Sequence, residues 1–547
     1  MNNSPNLDNY LIDHIERNQY FQRSINIYAD SNDKGPISNF YCTASYEQIL
    51  MNMIGHIKGG QTAFTWTGPF GSGKSSLALF LQGLISDDKE IVEIASSKLS
   101  KKNKTAIVKH FNSEDQQWKT LNLTGQTTAP EQIFRNALGL PSSADAKDIL
   151  EALDSYIDDE QRLIIFIDEL GKVFDGAAKS HRPDDIYFLQ QLAEFVNRTN
   201  GRILLIGMLH QSFTAYARQA TAKTHNEWMK IQGRFVDFAI TLSVEEQIYL
   251  IGQVINITNK QLEKHKDSAE FITQIQSLVA NIANYRQTNS ESLTQLLSDV
   301  FPLHPLVAIL LCKLSQKNFG QNQRSIFSFL MSSEPNGFGY YLKNTKLDEF
   351  ALFKPHQFWD YLDSNLNSAI IASEYSKQWL LSQTAVNRYE GLDDGSAVKL
   401  IKIIALISIF ADGTGVHASP ELLQTLLGID KDQLNELIKS LESASIIFYS
   451  KFKQSYVLSE GSDFNLNDAV REQIQDLDSL PFEQLEQFEP IVAKKHYQLT
   501  GSLRWMEVKL LPVTDGLEEV LASLQDGINA SLVGYFCLLI PKNDEEV

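Results

Sequence analysis

The chain has 547 residues, 43% of them apolar and 21% charged, which is ordinary globular usage and excludes collagen-like or wholesale disordered chains. At about 150 residues per domain, this length implies about three or four domains. With 67 acidic against 48 basic residues the net charge is −19, so the molecule as a whole is repelled by phosphate backbone and anionic lipid, and any nucleic-acid contact must be a local patch.

Cys42, Cys312 and Cys537 stand far apart and in no metal-ligand spacing, and read as buried small hydrophobes in a reducing cytosol. The first thirty residues lack the basic start and apolar stretch of a signal peptide, and the longest apolar run, from Leu400 to Ala411, is too short to span a membrane. The expectation is a soluble cytoplasmic protein without a membrane partner.

Residues 1–38 form a polar lead-in segment with a helical patch around Tyr10 to Tyr20. Residues 39–243 follow as an α/β core. There, Tyr46, Ile49, Leu50, Met53, Ile54 and Ile57 mark an amphipathic helix over Ala44 to Lys58, stopped at Gly59-Gly60. A strand is expected at Thr62 to Thr67, then a glycine-rich turn and a helix from Lys74 to Ile85. Further β-like runs lie at Thr105 to Lys109, Leu163 to Ile167, Ile203 to Ile206 and Phe235 to Leu242, with helical stretches such as Asp184 to Asn200 between them. Strands alternating with helices predict a parallel sheet covered on both faces.

Between the first strand and its helix, Gly68-Pro69-Phe70-Gly71-Ser72-Gly73-Lys74-Ser75 fits the phosphate-loop pattern G-x-x-x-x-G-K-S/T, with Ser76 continuing the helix. Gly71 and Gly73 let the backbone curl so that successive N–H groups face a β-phosphate. Lys74 supplies a cation to the β and γ oxygens, and Ser75 a hydroxyl ligand to Mg²⁺. The apolar strand Leu163 to Ile167 ends in Asp168-Glu169. Buried strand carboxylates are costly unless a cation needs them, so Asp168 is read as the second Mg²⁺ ligand and Glu169 as the base for the attacking water. After the next strand either His210 or Gln211 could sense the γ-phosphate. Arg234, just before the last β-like run, is placed either to reach a neighbouring subunit's nucleotide or to form a surface salt bridge.

From Val244 to about residue 390 the pattern is almost purely helical, and a loop from Gly391 to Gly395 follows. Over 391–475 come helices at Val398 to Ala411, Pro420 to Leu427 and Lys431 to Ser443, then β-like runs at Ile446 to Ser450 and Ser455 to Leu458. Three helices and a hairpin predict a winged helix-turn-helix. Its second turn helix carries Lys431 and Lys439 against Asp432, Glu436 and Glu442, which favours packing against protein over reading DNA. The one dense basic run, Lys98, Lys101, Lys102 and Lys104, is a solvated loop or a phosphate-tracking loop facing a ring pore.

Residues 476–547 read as a linker and a partial α/β module, with strands near Lys494 to Leu510, a helix at Leu517 to Leu524 and an apolar strand at Tyr535 to Ile540. A strand apolar on both faces needs cover on both sides, so either residues beyond Val547 complete the layer or another domain or subunit packs there. Glu507-Val508-Lys509 imitates a nuclease motif but lacks an acidic partner on a preceding strand, and reads as alternate residues of an edge strand.

The order of phosphate loop, Asp-Glu strand, polar strand tip, Gly233-Arg234-Phe235, helical region and winged helix resembles the AAA+ ATPases over roughly residues 40 to 460, nearest the initiator and STAND branches. The fold class is then α/β: a parallel-sheet P-loop AAA+ core, a helical lid over 244–390, a winged helix and a small C-terminal α/β segment. The resemblance implies ATP and Mg²⁺ as ligands, a ring-like or ATP-dependent homo-oligomer, and Arg324 as a lid arginine that projects to the γ-phosphate. A second set of strings includes Leu303-His304-Pro305-Leu306, Gly320 to Leu330, Ser333-Glu334-Pro335, Glu460 to Phe464 and Thr500 to Trp505. These resemble the large ATPases of prokaryotic anti-phage defence systems of the BREX and RADAR kinds. That resemblance implies an oligomeric sensor, scaffold or motor working with a separate effector enzyme. The alternative is an initiator-like or regulatory ATPase acting on duplex DNA.

Overall fold

The computed structural model describes residues 9–541 apart from 22, 24, 32, 70, 114–116, 159, 181–185, 218–227, 229–230, 317–325, 391–394, 460–487 and 514–515. Phe70 and Arg324 lie outside the described residues, as does the Glu460 to Phe464 string. The chain divides into two units, Met1–Gly461 and Ser462–Val547, each taken alone below.

In chain order the described strands are β1 (Ile15–Arg17), β2 (Ala63–Thr67), β3 (Gln117–Thr124), β4 (Gln161–Asp168), β5 (Ile203–Leu209), β6 (Val236–Ala239), β7 (Ile255–Ile257), β8 (Ile447–Ser450), β9 (Ser455–Leu458), β10 (Ile491–Val492), β11 (Trp505–Pro512) and β12 (Leu532–Ile540). Five of them form one parallel sheet in the order β3-β4-β5-β2-β6. Successive side chains of a strand point to opposite faces, and the sheet's apolar residues sort accordingly. Phe64, Trp66, Ile164, Phe166, Leu204 and Ile206 enter a core with the helices Ala44–Lys58 and Lys74–Leu84. Ala63, Leu163, Ile165, Leu205 and Leu209 enter another with the helix Tyr187–Asn197. The expected two-sided parallel sheet is what the chain forms.

Two local expectations are corrected. Residues Thr105 to Lys109 are not a strand but part of the helix Lys104–Phe111, where Ile107 and Phe111, four apart, form a buried stripe. The edge strand is instead β3. The patch around Tyr10 to Tyr20 is not helical as a whole. It holds β1 between two single 3₁₀ turns, and β1 pairs antiparallel with β7 in the register Ile15 to Ile257.

From Val244 to Ser443 the described chain is helical apart from the short strand β7. A single apolar core takes in Leu11 and Ile15, helices such as Ala269–Tyr285, Pro305–Gln316 and Pro355–Ile371, and the group Ser396–Phe410, Pro420–Leu427, Lys431–Ser443 with β8 and β9. That last group has three helices and an antiparallel hairpin. Among the described residues no helix is long and apolar enough to cross a membrane.

In the second unit, β10 runs antiparallel and β12 parallel to β11, joined by the helix Leu517–Gln525. Lys494–Thr500 is a helix rather than strand. Glu507 and Lys509 lie on β11 past the two residues that β10 pairs, so they are paired with β12 alone. Phe536 and Leu539 of β12 are exposed, and Cys537 is partly exposed rather than buried like Cys312.

Candidate functional site

In the sheet order the neighbours of β2 are β5 on one side and β6 on the other. The chain leaves β2 for the far edge, returns strand by strand to β5, then crosses β2 to β6. A crevice at the carboxyl ends of the strands opens where such a sheet reverses direction, and the loop 68–73 leaves β2 there.

Gly71 and Gly73 have φ values of 74° and 81°, the left-handed region that a glycine enters at no steric cost. Gly73 is doubly constrained, because a Cβ there would lie 2.1 Å from the Tyr46 hydroxyl. That hydroxyl donates to the Ser72 carbonyl at 2.9 Å, so the helix Ala44–Lys58 braces the loop from beneath. Lys74 is buried, and its ammonium donates to the carbonyls of Gly68 at 2.6 Å and Pro69 at 2.9 Å. Burial pushes its pKa down to about 8 against the opposing pull of Asp168, so at neutral pH it stays charged.

Ser75, in the first turn of the helix Lys74–Leu84, donates its hydroxyl to Asp168 Oδ2 at 3.1 Å. Asp168 ends β4, and its other oxygen accepts from the Glu169 N–H at 2.9 Å. Burial raises the Asp168 pKa, an effect that the Ser75 hydroxyl and the Glu169 N–H oppose and the Glu169 charge reinforces. Glu169 itself sits at φ 53°, where a side-chain-bearing residue costs about 1 kcal/mol, and its carboxylate pairs with Lys172.

The tips of the strands are laced together: Gly68 N–H donates to Leu209 O at 3.0 Å, and Leu170 N–H to Met208 O at 3.0 Å. This fixes His210, next after β5, between the loop strand and the Asp-Glu strand. Its main chain bonds to the Tyr216 hydroxyl. Burial pushes its imidazole down to about 4, Lys74 and Lys172 add to that and Glu169 opposes it, so the ring is neutral. Gln211 is exposed.

Arg234 is elsewhere. It precedes β6 at the amino ends of the strands, level with Thr62, and its Nε donates to Glu194 Oε1 at 2.8 Å. The salt-bridge alternative is therefore realised within the chain, with the Arg234 side chain 47% exposed. Gly68, Pro69, Ser72, Lys74, Ser75, Asp168, Glu169 and His210 converge on one crevice.

Sequence reasoning missed Tyr46 and Lys172. Tyr46 falls on the buried stripe of its helix, where an aromatic reads as core. Lys172 gave a weak signal, a basic residue three positions after an acid at a helix start.

A bound magnesium ion suits this donor set. Ser75 and Asp168 present a hydroxyl and a carboxylate side by side, and hard oxygen ligands are what that ion takes.

No family model and no curated protein matches the sequence. Among solved structures, the Aeropyrum pernix ORC2 protein in its ADPNP–ADP complexes is similar at 14% identity and a TM-score of 0.28, over 79% of this chain and 92% of that one. The ADP form of the same protein is similar at the same identity and coverage with a TM-score of 0.26.

Proposed function

We propose that this chain binds ATP with Mg²⁺ and hydrolyses it, as an ATPase of the AAA+ kind. The observation that carries the reading is the Ser75–Asp168 contact, which joins the phosphate-loop helix to a strand tip 93 residues away. A half-buried carboxylate beside a buried ammonium costs stability, and a fold does not need that arrangement for its own sake.

Magnesium held at Ser75 and Asp168 supplies charge neutralisation on the phosphate oxygens. Main-chain N–H groups of the loop bind the β-phosphate, and Lys74 Nζ turns from the carbonyls of Gly68 and Pro69 to the phosphate oxygens. The Glu169 carboxylate accepts a proton from the attacking water, while the neutral His210 ring orients the γ-phosphate or that water.

Replacing Lys74 by Ala should abolish ATP binding, whereas Glu169→Gln should bind ATP and trap it. Equilibrium binding and phosphate release read the two outcomes. Normal turnover by Glu169→Gln would remove Glu169 as the base.

The finer reading is an oligomer in which Arg234 completes a neighbour's site. Distance supports it: Arg234 lies level with Thr62, six positions before Gly68, so about 20 Å of strand separates it from its own phosphate loop. The strings named above support the anti-phage role with a separate effector enzyme. The alternative, an initiator-like ATPase on duplex DNA, rests on the helix–helix–helix–hairpin group, whose helix Lys431–Ser443 with Asp432, Glu436 and Glu442 weighs against it. The adjoining genes discriminate: a nuclease, methyltransferase or deaminase favours defence, and an origin or partition locus favours the initiator.

A further inference from the structure

From Lys98 to Ser113 the chain carries Lys98, Lys101, Lys102, Lys104, Lys109 and His110 and no acidic residue, on a molecule of net charge −19. Such a run, left to itself, is a solvated loop held apart by its own repulsion. Here it is anchored from below. Glu47, only 4% exposed on the helix Ala44–Lys58, accepts at Oε2 from the Ser100 hydroxyl at 2.6 Å and from Asn103 Nδ2 at 2.7 Å. Its Oε1 accepts from the Ser100 N–H. Leu99, Ile107 and Phe111 are buried in the core beside the sheet.

The cations divide into two sets. Lys98 is structural: its ammonium donates to the Ser38 carbonyl and lies 5.5 Å from the centre of the Tyr41 ring. Lys101, Lys102, Lys104 and Lys109 are exposed and form no ion pair with any described residue. The positive field continues past the helix Lys104–Phe111. The His110 ring is pushed down to about 4, by burial first and then by Arg162 and Lys58.

Burying a carboxylate to hold outward four lysines that have no acidic partner among the described residues opposes folding, and a bound anion that neutralises them reverses that cost. We infer that Lys101, Lys102, Lys104 and Lys109 form a docking surface for the phosphodiester backbone of a nucleic acid. A protein partner fits less well. Protein interfaces deplete lysine and rest on buried aromatic or aliphatic anchors, and the large apolar residues of this segment, Leu99, Ile107 and Phe111, point inward. Phosphate contacts need only placed cations and carry no sequence preference. The inference is independent of the hydrolytic reading.

Fluorescence anisotropy of the full chain tests it, with a short mixed-sequence duplex DNA, a single-stranded RNA and a polyglutamate peptide as probes, between about 50 and 200 mM salt. The expected result is binding of at least one nucleic acid with a log affinity that falls linearly with log salt. Replacing all four lysines by Ala should flatten that slope by about 3 and weaken low-salt binding at least about tenfold, with the thermal unfolding midpoint unchanged. An unchanged midpoint shows that the variant is folded. Failure to bind either nucleic acid at the lowest salt would overturn the inference. So would equal nucleic-acid binding by wild type and variant, or lysine-dependent binding of polyglutamate alone, which would assign the surface to an acidic protein.

Discussion

Burial acts on Lys74 and His304 in the same direction with different consequences. Lys74 keeps its proton at neutral pH because two carbonyls and Asp168 surround the ammonium. His304 loses its proton. Its Nε2 donates to Gln274 Oε1 at 3.1 Å, and its Nδ1 accepts from the Leu306 N–H at 3.1 Å, so a second ring proton would face a donor. Its pKa falls from 6.5 to about 3, by burial first and then by the charges of Lys354 and His356. The unfolded chain therefore takes up this proton before the folded one as pH falls. Stability that is complete above pH 6.5 drains away toward pH 3, by about 2 kcal/mol between pH 6.5 and 5. Chemical denaturation of wild type and His304→Asn at pH 7 and pH 5 should show the variant less stable at pH 7 and losing about that much less on acidification. The Leu303-to-Leu306 string was visible in the sequence as a resemblance. That its histidine is a buried hydrogen-bonding hub was not, since a histidine's burial depends on helices far along the chain.

The shape of the loop 68–73 was legible because it is local, its glycines turning the backbone within eight residues. Its brace was not, because Tyr46 reaches the loop from another helix. Tyr46→Phe should remove one hydroxyl-to-carbonyl bond worth about 1 kcal/mol, weakening ATP binding about fivefold while leaving the maximal rate nearly unchanged. A titration of rate against ATP separates this from a general loss of fold, which would lower both. The edge strand β3 escaped notice for a related reason. Its sequence, Gln-Trp-Lys-Thr-Leu-Asn-Leu-Thr, is half polar because only one side of it is paired and few of its side chains are buried. The nearby Thr105-Ala-Ile-Val108, rich in β-branched residues, imitated the strand more closely, yet its buried positions repeat every four residues. Short apolar runs carry both periods, and only packing selects between them.

Composition marked a break near residue 391, but it carries no trace of the single apolar core that takes in helices on both sides of it. Nor does it show that Glu246, in the first turn of the helix Val244–Val254, accepts from Ser45 N–H at 2.8 Å and Ser45 Oγ at 2.6 Å, tying the helical region to the start of the helix that braces the loop 68–73. If Arg234 acts on a neighbour, Arg234→Ala should bind ATP normally yet hydrolyse it slowly. Mixing it with the binding-dead Lys74→Ala chain should then restore turnover, because each supplies what the other lacks. Activity that merely averages the two preparations at every concentration would leave Arg234 as a partner of Glu194 alone. The pairing of β1 with β7 has a consequence of another kind, in time. Leu11 and Ile15 close onto the helical core, while Ile27, Ile37 and Phe40, a few residues later, belong to the core under the sheet. At about 5–20 residues per second of synthesis, Ile257 leaves the ribosome on the order of ten to fifty seconds after Ile15. The five-stranded sheet is complete at Ala239, 18 residues before Ile257, so for about one to four seconds it can assemble while the leading strand still waits for its mate.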